Sequence, residues 1–159
     1  MAGYDPEIVK LLSFHDSRLQ FVDGTDNPRD YLERCISVMA ACENDVRAFS
    51  YVNLDGAREA ADKASKRYED GASLSPVDGM PLAIKDVFET RDMPTTYNSD
   101  LFRDNQTRWD GACPYFLRRG GASIVGKTVT TEFAFGTPGP TRNAWDIECT
   151  PGGSSSGSG

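Results

Sequence analysis

The sequence holds a single histidine, His15, and that scarcity removes much of nucleophilic enzymology at once. A Ser-His or Cys-His pair needs an imidazole as its base. His15, between Phe14 and Asp16 near the start of the chain, reads as a capped or solvated residue. The four cysteines, Cys35, Cys42, Cys113 and Cys149, form no CxxC pair, so neither a zinc site nor a redox motif is indicated. Cys35 and Cys42 lie seven apart in a helical pattern and read as core-facing. Positive charge is also short, with 17 Lys and Arg against 24 Asp and Glu for a formal net charge of -7. A phosphate-binding surface needs clustered cations, so neither nucleic acid nor an anionic membrane is expected as a partner. The Arg118-Arg119 pair reads as part of a solvated helix face. No run is apolar enough to cross a bilayer. The first residues, MAGYDPEIVKLLSFHDSRLQFVDG, lack the basic start, continuous apolar stretch and small-residue cleavage site of a secretory signal, so a cytoplasmic location is the expectation. Without such a signal, the Asn105-Gln106-Thr107 triplet reads as a polar loop and not as a glycosylation site.

What remains is enough for one globular domain, since 159 residues that are 38% hydrophobic can bury a core. Asn27-Pro28 is a helix start, with Asn as the cap and Pro in the first turn, where its missing N–H costs nothing. That helix is expected to run to about Glu43, with Leu32, Cys35, Ile36, Met39 and Cys42 on one face. Val46 to Asn53 has the β-branched and aromatic content of a strand. Asp55 is the expected cap of a second helix, lined by Ala57, Ala60, Ala61, Ala64 and Tyr68 and stopped by Gly71. Leu82 to Val87 reads as a short buried strand, Arg91 to Asp110 as a polar surface loop, and Ala112 to Arg119 as a helix stopped by Gly120-Gly121. ASIVGKT then reads as a strand, and TTEFAFG as a helical turn ahead of a proline- and glycine-rich segment.

Three features carry chemistry. Lys85 interrupts the apolar strand LAIKDV, where it is either a strand-end lysine paired to Asp86 with its head in water or a functional amine. The final stretch, TPGGSSSGSG, has no side chain larger than a hydroxyl after its proline, so it is either a flexible linker or a loop whose backbone closely approaches a ligand. Gly121 to Thr128, GASIVGKT, matches the phosphate-cradling pattern G-x-x-x-x-G-K-[ST]. That motif needs a hydrophobic strand before its first glycine and a helix after its lysine. Here Tyr115 to Arg119 precedes it and Ser123 to Val125 is itself strand-like, so a nucleotide-binding protein is the weaker reading.

Three blocks in order, GMPLAIKDVFET, GGASIVGKTVTTEFAFG and GPTRNAWDIECTPGGSSSGSG, resemble the amidase signature family of serine hydrolases. The resemblance covers about Val77 to Gly159 and makes GASIVGKT an ordinary strand and turn. It implies an α/β fold, helices around a mixed sheet, of which this chain holds an incomplete part. Residues 1–75 would form a helical N-terminal region, and residues 76–159 a partial catalytic core ending inside the Gly/Ser loop. It also implies a Ser-Ser-Lys triad that cleaves carboxylic amides with no metal or organic cofactor. Lys85 would be the base and Ser154 the bridging serine, next to a cis peptide bond, with Gly152, Gly153 and Ser155 supporting the loop. Ser156 stands where the family often has glycine. The family's nucleophilic serine lies further along than Gly159, so the 159-residue chain alone is expected to be inactive, completed by a C-terminal portion or a partner chain. The other outcome is a non-catalytic binding or regulatory module derived from an amidase. The substrate class the resemblance implies is a small-molecule amide.

Overall fold

A computed structural model describes residues 12–159. The first eleven residues, on which part of the signal-peptide reading falls, lie outside the described ones. Two helices open the described chain, α1 (Phe14–Asp23) and α2 (Pro28–Val46), followed by strand β1 (Phe49–Val52) and helix α3 (Leu54–Glu69). Strand β2 (Pro81–Lys85), helix α4 (Ala112–Arg119) and strand β3 (Ser123–Thr128) complete the regular elements, apart from three single 3-10 turns. The architecture is mixed α/β. The strands lie in the order β1-β3-β2, with β3 antiparallel to β1 and parallel to β2.

Local chemistry sets most of these boundaries. The Asn27 side chain accepts the Asp30 N–H at the start of α2, as the Asn-Pro pair predicts. The helix runs past Glu43 to Val46 and ends on Arg47 in the left-handed conformation, so Val46 closes a helix and does not open the strand. The cap of α3 is Asn53, which accepts the Gly56 N–H at 3.1 Å, while Asp55 sits one residue into the first turn, where its charge favours the helix N-terminus. Gly71 follows α3 with φ +66°.

Strand β3 is buried along its whole length and divides two cores. On one side Val125 packs with Leu32, Ala57 and Ala61 of α2 and α3, with Ile36, Met39 and Leu54 around them. On the other, Ile124 packs with Ile84, Met93 and Leu117. An irregularity in the β2–β3 ladder places Leu82 opposite Ile124 but Ala83 opposite Gly126, so Val125 is an extra residue in β3. It shifts the side-chain alternation by one. Ile124 and Lys127, three apart, would otherwise point to opposite faces, yet both reach the side that holds Met93 and its neighbours.

The segment between β2 and α4 departs from a purely surface loop. Met93 and Thr95 are fully buried, because the loop folds back under the sheet and bonds to Asp86 and Lys127. Arg118 departs from the solvated-face reading as well. Its side chain is only 15% exposed and ion-pairs with Asp92 at 2.6 Å and Asp110 at 3.3 Å, pinning α4 to that loop.

Candidate active site

Lys85 is the last residue of β2, and its carbonyl accepts the Val87 and Phe88 N–H groups as the chain turns off the sheet. Its half-buried side chain donates a 2.6 Å hydrogen bond to the Ser154 hydroxyl, 69 residues on. Asp86, the partner proposed for a strand-end lysine, is engaged elsewhere.

The Gly/Ser stretch is an ordered loop laid across the end of the central strand, β3. The Gly153–Ser154 peptide bond is cis. The Ser154 carbonyl accepts from the Thr131 N–H at 3.0 Å and the Thr130 hydroxyl at 3.1 Å. Gly157 donates its N–H to the Val129 carbonyl at 2.9 Å, and the Ser158 and Thr128 hydroxyls share a 2.9 Å bond. Thr128 is also the β3 residue opposite Lys85 in the ladder. The loop that carries Ser154 and the strand that carries Lys85 are thus both fastened to the end of β3.

Of the other residues the sequence singles out, Gly152 accepts the Ser156 hydroxyl on its carbonyl at 3.0 Å and donates its N–H to the Thr150 hydroxyl at 3.2 Å. Gly153 supplies the cis bond. Ser155 supports the loop through its carbonyl, which accepts the Ser158 and Gly159 N–H groups, while its side chain is exposed. Ser156, to which sequence reasoning assigns no role, is the buried serine of the loop and ties it across four residues. Thr128, Thr130 and Thr131 escape sequence reasoning as well. Their signal is the hydroxyl-rich run TVTT at the end of β3, of which the Thr128 and Thr130 hydroxyls and the Thr131 N–H meet the loop.

Lys127 corrects the phosphate-loop reading. Gly121 to Thr128 is a turn and a buried strand with no loop to cradle a phosphate, and Lys127 is fully buried. Its three donors go to Asp86 Oδ1 at 2.9 Å, the Thr95 hydroxyl at 2.8 Å and the Pro94 carbonyl at 3.0 Å. Burial pushes this ammonium below the ordinary lysine value, opposed by the hydrogen bond to Asp86.

Beside the loop, Tyr97 stacks on Phe133, and Phe102 meets both edge-on. Phe135, two residues on, is 96% exposed. His15 is exposed on α1, which packs against α2 and α3. Cys35 and Cys42 are half-buried, Cys113 and Cys149 exposed, and all four are free. Among the described residues no group of three or more His, Cys, Asp or Glu could hold a metal, and no helix is long and apolar enough to cross a membrane.

By its backbone this chain groups with solved amidases. It matches native peptide amidase from Stenotrophomonas maltophilia with a TM-score of 0.84 and 28% identity, over 91% of this chain and 32% of that one. It matches a chain of a vestigial protein complex, described for the evolutionary origins of an s-triazine catabolic enzyme, at 0.86 and 29%, over 92% and 34%. In sequence it is 42% identical over 143 residues to a glutamyl-tRNA(Gln) amidotransferase subunit from Acidothermus cellulolyticus. The amidase family model matches residues 30–159, and the chain belongs to that family. The match covers 86% of this chain and 28% of the length of the Acidothermus relative.

Proposed function

We propose that this chain carries the base and the bridging serine of an amide-hydrolysing Ser-Ser-Lys site, with the attacking serine supplied by residues it does not contain. The observation that carries the reading is the 2.6 Å contact between the Lys85 amine and the Ser154 hydroxyl. In the forward step the attacking serine adds through its oxygen to the amide carbon. Its proton passes to the Ser154 oxygen as the Ser154 proton passes to the lone pair of Lys85 Nζ, which enters this step as the free amine. Collapse of the adduct breaks the C–N bond, and the leaving nitrogen takes a proton back along the same path. Water then splits the acyl ester by the reverse sequence, giving the acid and the free serine. Every proton is returned at the end of the cycle.

The substrate is a small-molecule carboxylic amide. The relatives named as amidotransferases support an amide nitrogen as the group removed. The missing part of the site comes from a C-terminal portion or a partner chain, and the protein works in the cytoplasm.

The test is ammonia or amine release from a panel of simple amides by the complete protein. Lys85→Ala and Ser154→Ala are each expected to lower kcat/KM by about a hundredfold to ten-thousandfold, the usual worth of a general base. Parent-like turnover in both variants would overturn the reading. A complete protein that turns over no amide would leave a non-catalytic module as the description.

A further inference from the structure

The described residues contain one ion pair in which both side chains are essentially out of solvent, Lys127 with Asp86, at 0% and 1% exposure. Neither takes part in the relay, yet each is next to something that does. Asp86 directly follows Lys85, and its N–H bonds to the Thr128 carbonyl at 2.9 Å. Asp86 is the first residue past the end of β2, and its side chain takes a different partner from that of Lys85. Lys85 goes to Ser154, and Asp86 goes behind the sheet to Lys127. The Asp86 carboxylate also accepts the Thr96 N–H at 3.2 Å and the Thr96 hydroxyl at 2.5 Å, while Lys127 holds Pro94 and Thr95. The pair therefore grips the whole Pro94–Thr96 segment.

That segment leads to the other half of the relay. The next residue, Tyr97, accepts the Phe133 N–H on its carbonyl at 2.9 Å and stacks on the Phe133 ring. Phe133 lies two residues after Thr131, whose N–H holds the Ser154 carbonyl. We infer that the Lys127–Asp86 pair is a positioning device for the relay, fixing Lys85 from behind its strand and Ser154 through Thr96, Tyr97 and Phe133. This rests on reading Lys85 and Ser154 as that relay.

An ion pair that only fills the core can be exchanged for apolar side chains of similar size with little loss of stability. Such an exchange removes the directional bonds to Pro94, Thr95 and Thr96. The experiment uses the complete protein with Asp86→Leu and Lys127→Met combined, reading thermal unfolding, kcat and KM. The expected result is a melting temperature near the parent's, with kcat lower by about a hundredfold, the scale of a 1 Å misplacement, and KM within about twofold. A folded double variant with parental kcat, or one that changes KM alone, overturns the inference. If the double variant does not fold, the variant is Thr96→Val, which keeps both charges paired and removes the Thr96 hydroxyl that Asp86 holds. It is expected to lower kcat with KM within about twofold, and parental kcat overturns the inference. Lys85→Ala separates the two readings. If it is active, the relay itself fails; if it is inactive while the double variant works, only the positioning role fails.

Discussion

The Lys85 amine and the Ser154 hydroxyl meet at 2.6 Å although 69 residues separate them, because strand β2 and the Gly/Ser loop are both fastened to the end of β3. Two groups in one relay should not contribute independently. A double-mutant cycle on the complete protein is expected to be strongly non-additive. Once Ser154→Ala has broken the path, adding Lys85→Ala should lower kcat/KM by no more than about threefold further. Losses that multiply would show two separate roles.

The buried pair makes a prediction about stability that is separate from its effect on rate. Asp86→Ala leaves the Lys127 ammonium inside the protein with only Pro94 and Thr95 as partners, and Lys127→Met leaves the carboxylate with only Thr96. Each single change is expected to cost about 3–5 kcal/mol, more than the two combined with apolar replacement. Urea unfolding of the three variants checks the order, and a double variant less stable than either single one contradicts it.

Much of this fold is legible in the sequence because short-range chemistry decides it. Asn27-Pro28 starts α2, Gly71 follows α3, and α4 spans Ala112–Arg119 as its pattern predicts. What escapes is set by tertiary contact. Neither the burial of Met93 nor the pairing of Arg118 with Asp92 and Asp110 has a signature in a polar, turn-rich stretch. Lys127 looks like a phosphate ligand in the sequence because the extra residue at Val125, which turns it into the core, shows only in strand pairing. Lys85 and Ser154 carry no mutual spacing signal, and only the resemblance of three blocks to a family joins them. Ser156 reads as a variation on glycine, whereas its hydroxyl closes the loop onto Gly152.

The junction of α2 and α3 should make folding sensitive to acid. Glu33 bonds Arg58 at 2.7 Å and Arg29 at 3.0 Å, and these guanidinium groups, Arg58 first, hold its carboxyl at about 2 against an ordinary 4.5. The folded state therefore takes up this proton less readily than the unfolded one. The contribution is complete above pH 4.5 and is lost as pH falls from there toward 2. Glu33→Gln should be less stable than the parent at neutral pH, with the gap closing across that window. Denaturant midpoints measured through it check the sign, and a gap that widens on acidification would refute the assignment.

The loop's placement depends on a missing side chain. A Cβ on Gly157 would lie 2.1 Å from the Ala48 carbonyl oxygen and 2.6 Å from the Val129 nitrogen. Those two atoms are themselves joined by a 2.9 Å hydrogen bond that continues the β1–β3 pairing, so neither can yield without opening the sheet. The loop must move instead, and Ser154, three residues back, moves with it. Gly157→Ala is expected to lower kcat/KM of the complete protein by about a hundredfold through misplacement of Ser154. Gly71→Ala is the matched control. A Cβ there meets nothing within 4 Å, and only its φ of +66° is strained, so it should cost about 1–2 kcal/mol of stability and leave turnover unchanged. Steady-state kinetics with melting temperatures for both variants decide the matter. If Gly157→Ala turns over like the parent, close seating of the loop on β3 is not what holds Ser154 against Lys85.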